Sequence, residues 1–343
     1  MGRSKKQYSV AIVGLGKMGR NHLRVFKEHG GFNVAALIDP RAETRDLLSS
    51  GMAWYPSVSA YLATSPKIDA AVVATSTKSH FEVTRDLMAL SIPLLVEKPL
   101  AHDAVSAEKL AVLAAEKGIA LFVGHVERCN PAVRKLKEVL AAGVIGTPIH
   151  YSATRVGGFP NANERRETNV LLDLAVHDLD VIQVLGGKLS LRSSICHNTM
   201  DQGYHDTAQL LLSNDSGASA SVHVNWITPT KIRTLRVTGS LGVARIDYIL
   251  QTCHVIGGNI IERKERPDFT FADVISDYMS SDKIEFGIAK KEPLLVQAGE
   301  FYSFLSGGAS SLCPADEAAR TVHLAEMAIA FGQGGVAVYK KSG

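Results

Sequence analysis

The chain has 343 residues, 46% of them hydrophobic and 21% charged, with a formal net charge of +3. That length exceeds what one hydrophobic core usually serves, so two domains are expected, and the two locally basic runs, "GRSKK" and "ERKER", lack the aromatic or groove-reading context of a nucleic-acid surface. Four scattered cysteines with no CxxC pair argue against a zinc knuckle or a disulfide framework, and no apolar run reaches membrane-spanning length; a cytoplasmic protein with free thiols, and with neither nucleic-acid nor membrane partners, is expected.

From residue 8 to 124, short apolar runs ("YSVAIV", "NVAALI", "DAAVVAT", "IPLLVE", "IALFVG") alternate with segments of helical periodicity. Runs of this kind are what parallel strands buried on both faces require, so the first part reads as α/β, a doubly wound parallel sheet. After about residue 145 the pattern changes to longer alternating strands: "IHYSATRV", "TAQLLLSN", "ASASVHVNW", "KIRTLRVTG" and "GVARIDYIL". Turn signals such as "NDSG" and "GSLG" predict an open, mainly antiparallel sheet in an α+β domain. Helices around 168–186, 293–306 and 315–331 are expected to cover one face of it. No repeat or low-complexity linker intervenes, so the border is a change of pattern, with domains at 1–125 and 126–343.

The loop "GLGKMG" follows the first strand and opens a helix near Lys17. Gly14 would permit the tight turn, Gly16 the close approach of a pyrophosphate, and Gly19 the packing of helix on strand, with Lys17 and Met18 inside the loop. The second strand ends in "ALIDP", which places Asp39 to accept hydrogen bonds from the adenosine ribose hydroxyls and to repel a 2′-phosphate, favouring NAD over NADP. The competing reading is that Asp39 opens a turn before Pro40 or caps the next helix. The fourth strand ends at Thr75, so Thr75, Ser76 and His80 should face the cofactor crevice; local hydrogen bonding is the alternative for His80.

The fifth strand runs into Glu97-Lys98-Pro99, delivering a lysine to the same crevice. Further on, "LLDLAVHDLD" sets Asp173, His177 and Asp180 four and three residues apart, on one face of a helix. A divalent metal bound there is disfavoured, since a nearby lysine would repel it and the spacing supplies no closed set of ligands. Asp178 and Asp180 are read as structural or solvated.

"GLGKMG", "IDP", "EKP", "GHVERCNPAV" and "DLAVHD" occur in the order and spacing of the glucose-fructose oxidoreductase/inositol dehydrogenase (Gfo/Idh/MocA) family, which the whole chain resembles. Residues 123–133, 173–181 and 225–248 most resemble its branch acting on nucleotide-linked amino sugars, the UDP-N-acetylglucosamine 3-dehydrogenases and their uronic-acid relatives. The chain departs from the family in "ERRETNVLLD", where a glycine-rich approach to Asp173 is common, and at Cys129, where relatives often carry phenylalanine.

The resemblance implies an NAD(P)-dependent enzyme acting on CH–OH groups, whose second domain binds substrate and packs into homodimers or homotetramers. Lys98 matches the family's lysine beside the reacting hydroxyl, and Asp173 with His177 its acid–base helix. A neutral imidazole, with an unperturbed pKa of ~6.5, suits proton abstraction at physiological pH, so His177 is the expected base. Lys98 would stabilise developing alkoxide charge or carry the proton itself, and Asp173 would orient the imidazole or hold a neighbouring hydroxyl. Glu97 and Lys98 join the cofactor-facing set. Arg128, Asn130 and Arg155 are the candidates for substrate anions, with Arg165 and Arg166 weaker ones; Trp226, Lys231 and His205 are either near the ligand or structural. The expected reaction is hydride transfer between nicotinamide and a sugar-ring hydroxyl, C3 of a UDP-linked N-acetylated sugar or its uronic acid. An inositol, polyol or free-sugar dehydrogenase and a non-catalytic NAD-binding regulator are the alternatives.

Overall fold

A computed structural model describes residues 6–64, 67–158, 168–200, 203–257 and 283–334. The chain divides into two compact units: residues up to Cys129 with Lys291–His323, and Asn130–Lys290 with the chain from Leu324.

In the first unit, β1 (Tyr8–Val13), β2 (Phe32–Ile38), β3 (Ala53–Tyr55), β4 (Ala70–Val73), β5 (Leu94–Val96) and β6 (Leu121–Val123) pair in parallel in the order β3-β2-β1-β4-β5-β6. The strand order reverses between β1 and β4, and a crevice opens there beyond their carboxyl ends. Residues 313–314 add a short antiparallel strand to the edge of β6. β4 and β5 are buried along their whole length, which explains their unbroken apolar sequences. The connecting helices are α1 (Lys17–His29), α2 (Val58–Leu62), α3 (His80–Leu87) and α4 (Ala104–Glu116).

The buried residues of α1 include Gly19, His22, Leu23 and Phe26, at helical spacing, and Gly30 ends the helix in the left-handed region at φ +70°. Phe26 lies 4.4 Å from Phe32 and 6.4 Å from Phe301, ring centre to ring centre. Each fully buried phenylalanine of this cluster contributes roughly 1.5–3 kcal/mol. Phe301 sits on the helix Pro293–Leu305, which was expected over the second sheet but packs against α1 in the first unit. The reason is aromatic: Phe301, Tyr302 and Phe304 meet Phe26, Tyr8, His29 and Phe122, apolar partners that periodicity within 293–306 does not reveal.

The second unit holds α5 (Pro131–Ala141), α6 (Val176–Gly186) and an eight-stranded sheet of β7 (Pro148–Val156), β8 (Leu189–His197), β9 (Thr207–Asn214), β10 (Ser219–Asn225), β11 (Ile232–Gly239), β12 (Gly242–Asp247), β13 (Thr252–Gly257) and β14 (Lys283–Phe286). Its order is β14-β13-β12-β11-β7-β10-β9-β8. Successive strands form hairpins, as the turn signals predict, but β7 inserts between β11 and β10 and is parallel to β10. α5 and α6 cover one face. Ile195, Leu211 and Ile256 on the other are 57%, 56% and 42% exposed.

α5 starts on Asn130, whose side-chain oxygen accepts from the Ala132 N–H, followed by Pro131 in the first turn. α6 ends where the Asn214 amide donates to the Gly186 carbonyl at 2.6 Å. The four cysteines are free thiols. Among the described residues no helix is long and apolar enough to cross a membrane.

Candidate active site

A cleft of about 700 Å³ opens at the carboxyl ends of the first unit's strands, lined among others by Gly14, Gly16, Lys17, Met18, Asp39, Thr75 and Ser76. The three loop glycines differ in what constrains them. Gly14 has φ +85°, and a Cβ there would sit 2.6 Å from the Thr75 nitrogen; a Cβ on Gly19 would lie 1.8 Å from the Gly14 carbonyl oxygen. Gly16 faces open space. Turn, packing and ligand approach are thus divided among Gly14, Gly19 and Gly16. Gly16 caps α1 without a side-chain acceptor and the first turn carries no acid, an arrangement suited to an anion such as pyrophosphate.

Asp39 is 3% exposed at the end of β2. One of its oxygens accepts from the Leu15 N–H at 2.6 Å, and the Arg41 guanidinium reaches both oxygens at 2.9 Å. Burial pushes its pKa up, but the Arg41 side chain and the Leu15 and Arg41 backbone donors outweigh it and hold the carboxyl below the usual range. Pro56, Ser57, Ser59, Glu82 and Asp86 also line the cleft and had not stood out in the sequence. They come from the start of α2 and from α3, segments without a phosphate or ribose motif.

Lys98 follows β5 in a turn with a cis Lys98–Pro99 bond. The buried Glu97 carboxylate lies 2.6 Å from His22 Nε2. His80, 1% exposed, has Nδ1 2.8 Å from the Pro99 carbonyl and Nε2 3.2 Å from the Thr75 carbonyl, so the neutral ring donates its one N–H to the turn or to the strand end, according to its tautomer. Burial lowers its pKa, against the raising effect of these carbonyls and of Glu97. His22 was missed in the sequence; its place on the buried stripe of α1 was the available signal.

In the second unit, Asp173 lies in a π-helical turn, Leu171–Ala175, that leads into α6, and His177 is in the first turn of α6. Such a turn is uncommon and recurs at functional sites. The Trp226 indole N–H donates to Asp173 at 3.1 Å, and Trp226 is 2% exposed. It is therefore a core residue and a partner of the candidate site at once. The backbone around His205 is stitched to the same segment: its N–H donates to Asn169 Oδ1 at 2.8 Å and its carbonyl accepts from Val170.

The candidates for substrate anions have partners within their own units. Arg128 donates to Glu317 at 2.6 Å, and Arg155, 4% exposed, pairs with the fully buried Asp178 at 2.7 Å. The Asn130 amide donates to the Tyr248 carbonyl while its oxygen caps α5. These contacts give all three a structural part, and Asp178 has the structural role expected of it. Arg165 and Arg166 lie outside the described residues.

The strand order, the glycine loop and the acid at the end of β2 define an NAD-binding Rossmann unit, and the second unit is of the α+β class. Residues 8–125 match the oxidoreductase family model with an NAD-binding Rossmann fold, and residues 133–245 match the GFO/IDH/MocA C-terminal domain. The chain belongs to the Gfo/Idh/MocA family and is an NAD-binding oxidoreductase. It is 28% identical over 248 residues to a UDP-N-acetylglucosamine 3-dehydrogenase of Acidithiobacillus ferrooxidans, covering 71% of this chain and 75% of the relative. It is also 28% identical over 237 residues to a scyllo-inositol 2-dehydrogenase (NAD(+)) of Bacillus subtilis, covering 65% of this chain and 68% of that one. The solved structure of UDP-N-acetylglucosamine 3-dehydrogenase from Acidithiobacillus ferrooxidans superposes with a TM-score of 0.79 at 22% identity, over 95% of this chain and 98% of the other. A likeness at that identity shows the fold.

Proposed function

We propose that the chain is a dehydrogenase acting on a secondary hydroxyl of a sugar ring, C3 of a UDP-linked N-acetylated sugar or of its uronic acid. The observation that carries this reading is the similarity to the UDP-N-acetylglucosamine 3-dehydrogenase over three quarters of that protein's length, 75%. NAD, when bound, supplies the hydride acceptor.

The glycine loop and the N-terminus of α1 would hold the pyrophosphate, and Asp39 the adenosine ribose. His177 takes the proton of the reacting hydroxyl. Lys98 hydrogen-bonds the same oxygen and stabilises its developing negative charge. Asp173, steadied by Trp226, orients the imidazole or holds a neighbouring hydroxyl of the sugar. A second reading, oxidation of an inositol, is favoured by the similarity to the scyllo-inositol 2-dehydrogenase.

The protein works in the cytoplasm as a homodimer or homotetramer, with the open face of the second sheet against another copy; Ile195, Leu211 and Ile256 on that face support this. Neither nucleic acid nor membrane is a partner. The test is NADH formation with UDP-N-acetylglucosamine, its uronic acid, scyllo-inositol and myo-inositol. Turnover of the UDP-sugars is expected; turnover of an inositol alone would reverse the order of the two readings.

A further inference from the structure

The Lys98 turn rests on a buried polar network for which the proposed chemistry has no direct use. Glu97 is 7% exposed, and one of its oxygens lies 2.6 Å from Nε2 of the 1%-exposed His22 on α1. The other oxygen accepts the Lys98 backbone N–H at 3.3 Å. A Cβ on Gly124 would stand 3.1 Å from Glu97 Oε1, so the end of β6 closes the carboxylate in from another side. On the far flank His80 reaches the Pro99 carbonyl at 2.8 Å. Lys98 is thus held on both sides through its neighbours in the chain, by one histidine from α1 and one from α3.

Stability alone does not account for such a network. A buried charged pair is often no more stable than an apolar pair of the same volume, whereas its directional bonds fix geometry. Burial works against the Glu97 carboxylate, but the hydrogen bond from His22, with His22, Lys98 and His80 close by, outweighs it and holds the carboxyl below the usual range. It is anchored to α1, the helix whose N-terminus faces the dinucleotide cleft.

We propose that His22 is a positioning residue: through Glu97 it sets the backbone from which Lys98 reaches the reacting oxygen, and it ties that placement to the pyrophosphate-binding helix, with His80 as the opposing brace. This rests on the role given to Lys98 above. Misplacing a catalytic group by about 1 Å costs on the order of a hundredfold in rate, so a brace that touches no reactant can still govern turnover.

The test compares wild type, Lys98→Ala, His22→Leu, His22→Gln and Glu97→Gln as full chains. Turnover is measured with NAD and UDP-N-acetylglucosamine, NAD affinity by fluorescence titration, and the rate of Lys98 acylation by an amine-reactive ester by peptide mass spectrometry, with and without NAD. Lys98→Ala should abolish turnover. His22→Leu should lower kcat by about tenfold or more while KM and NAD affinity hold, and should alter the Lys98 acylation rate. His22→Gln keeps an N–H directed at Glu97 and should recover most of both. If His22→Leu does not fold, Glu97→Gln, which keeps size and removes charge, should show the same loss of kcat and altered acylation. Wild-type kcat and acylation in the folded variant would overturn the inference, as would a glutamine variant no better than leucine. Full turnover in Lys98→Ala would instead overturn the reading of Lys98, and none by wild type that of the substrate; in either case the acylation rates would decide the brace by themselves.

Discussion

The indole N–H of Trp226, at the end of β10, donates to the Asp173 carboxylate at 3.1 Å, joining the sheet of the second unit to the π-helical turn that precedes α6. Losing a hydrogen bond to a charged acceptor costs roughly 1.5–3 kcal/mol. Trp226→Phe keeps most of the apolar ring and removes the donor. A fall in kcat/KM of about tenfold, beside a drop of several degrees in Tm, is expected if Asp173 must be held for the chemistry. The checks are steady-state kinetics and thermal melting on the same preparation; a lowered Tm with unchanged kcat/KM would make Trp226 a core residue only.

Arg41 forms a two-pronged pair with Asp39, and this pair is expected to set which dinucleotide the cleft accepts. Asp39→Ala removes the acceptor proposed for the ribose hydroxyls and releases a guanidinium suited to a 2′-phosphate. The variant should lose about tenfold or more in kcat/KM with NAD and gain with NADP. Arg41→Ala should leave NAD use nearly unchanged and lower any residual use of NADP. Paired kinetics with the two cofactors measure both effects.

The features legible in the sequence are those fixed by neighbours in the chain. The glycine loop, Asp39, the parallel strands and the hairpins of the second sheet depend on turn chemistry and periodicity within a few residues, and all are found where expected. Arg128 and Arg155 are candidates for substrate anions in the sequence because a guanidinium there has no visible partner. Their carboxylates, Glu317 and Asp178, are 189 and 23 positions away. The destination of the helix Pro293–Leu305 was hidden in the same way, since its periodicity states that one face is apolar but not which surface receives it. His22 was hidden for a subtler reason: a histidine on a helix's buried stripe looks like packing until the carboxylate beneath it is seen.

Acidification should destabilise the protein in two stages. Burial holds His80 below its ordinary value of 6.5, and Glu97 is held below its ordinary value of 4.5, in its case against burial, by the His22 hydrogen bond and neighbouring charges. Each group binds its proton more weakly in the folded protein than in the unfolded chain, so unfolding takes up protons and stability rises with pH. The His80 contribution is complete above 6.5 and is lost as pH falls through the depressed folded value; that of Glu97 is complete above 4.5 and is lost below it. His80→Gln should flatten the upper stage without abolishing it, because His150 and His223 are lowered by burial in the same direction. Urea midpoints measured across a pH series test this, and an unchanged slope just below neutrality in His80→Gln would count against it.

The Arg155–Asp178 pair separates a structural role from a substrate role. Its side chains are 5% and 0% exposed, and the Arg155 guanidinium also lies 4.8 Å from the centre of the Tyr248 ring. Asp178→Ala would leave the guanidinium buried without its counter-charge, at a cost of about 3–5 kcal/mol. Replacing both partners by apolar groups of similar volume, Arg155→Met with Asp178→Leu, removes the stranded charge and should restore most of the stability. Urea denaturation of the single and double variants gives the coupling between them. If the pair is purely structural, the double variant also keeps the wild-type KM for the sugar substrate; a KM raised by about tenfold in a stably folded double variant would assign Arg155 to the substrate-binding set.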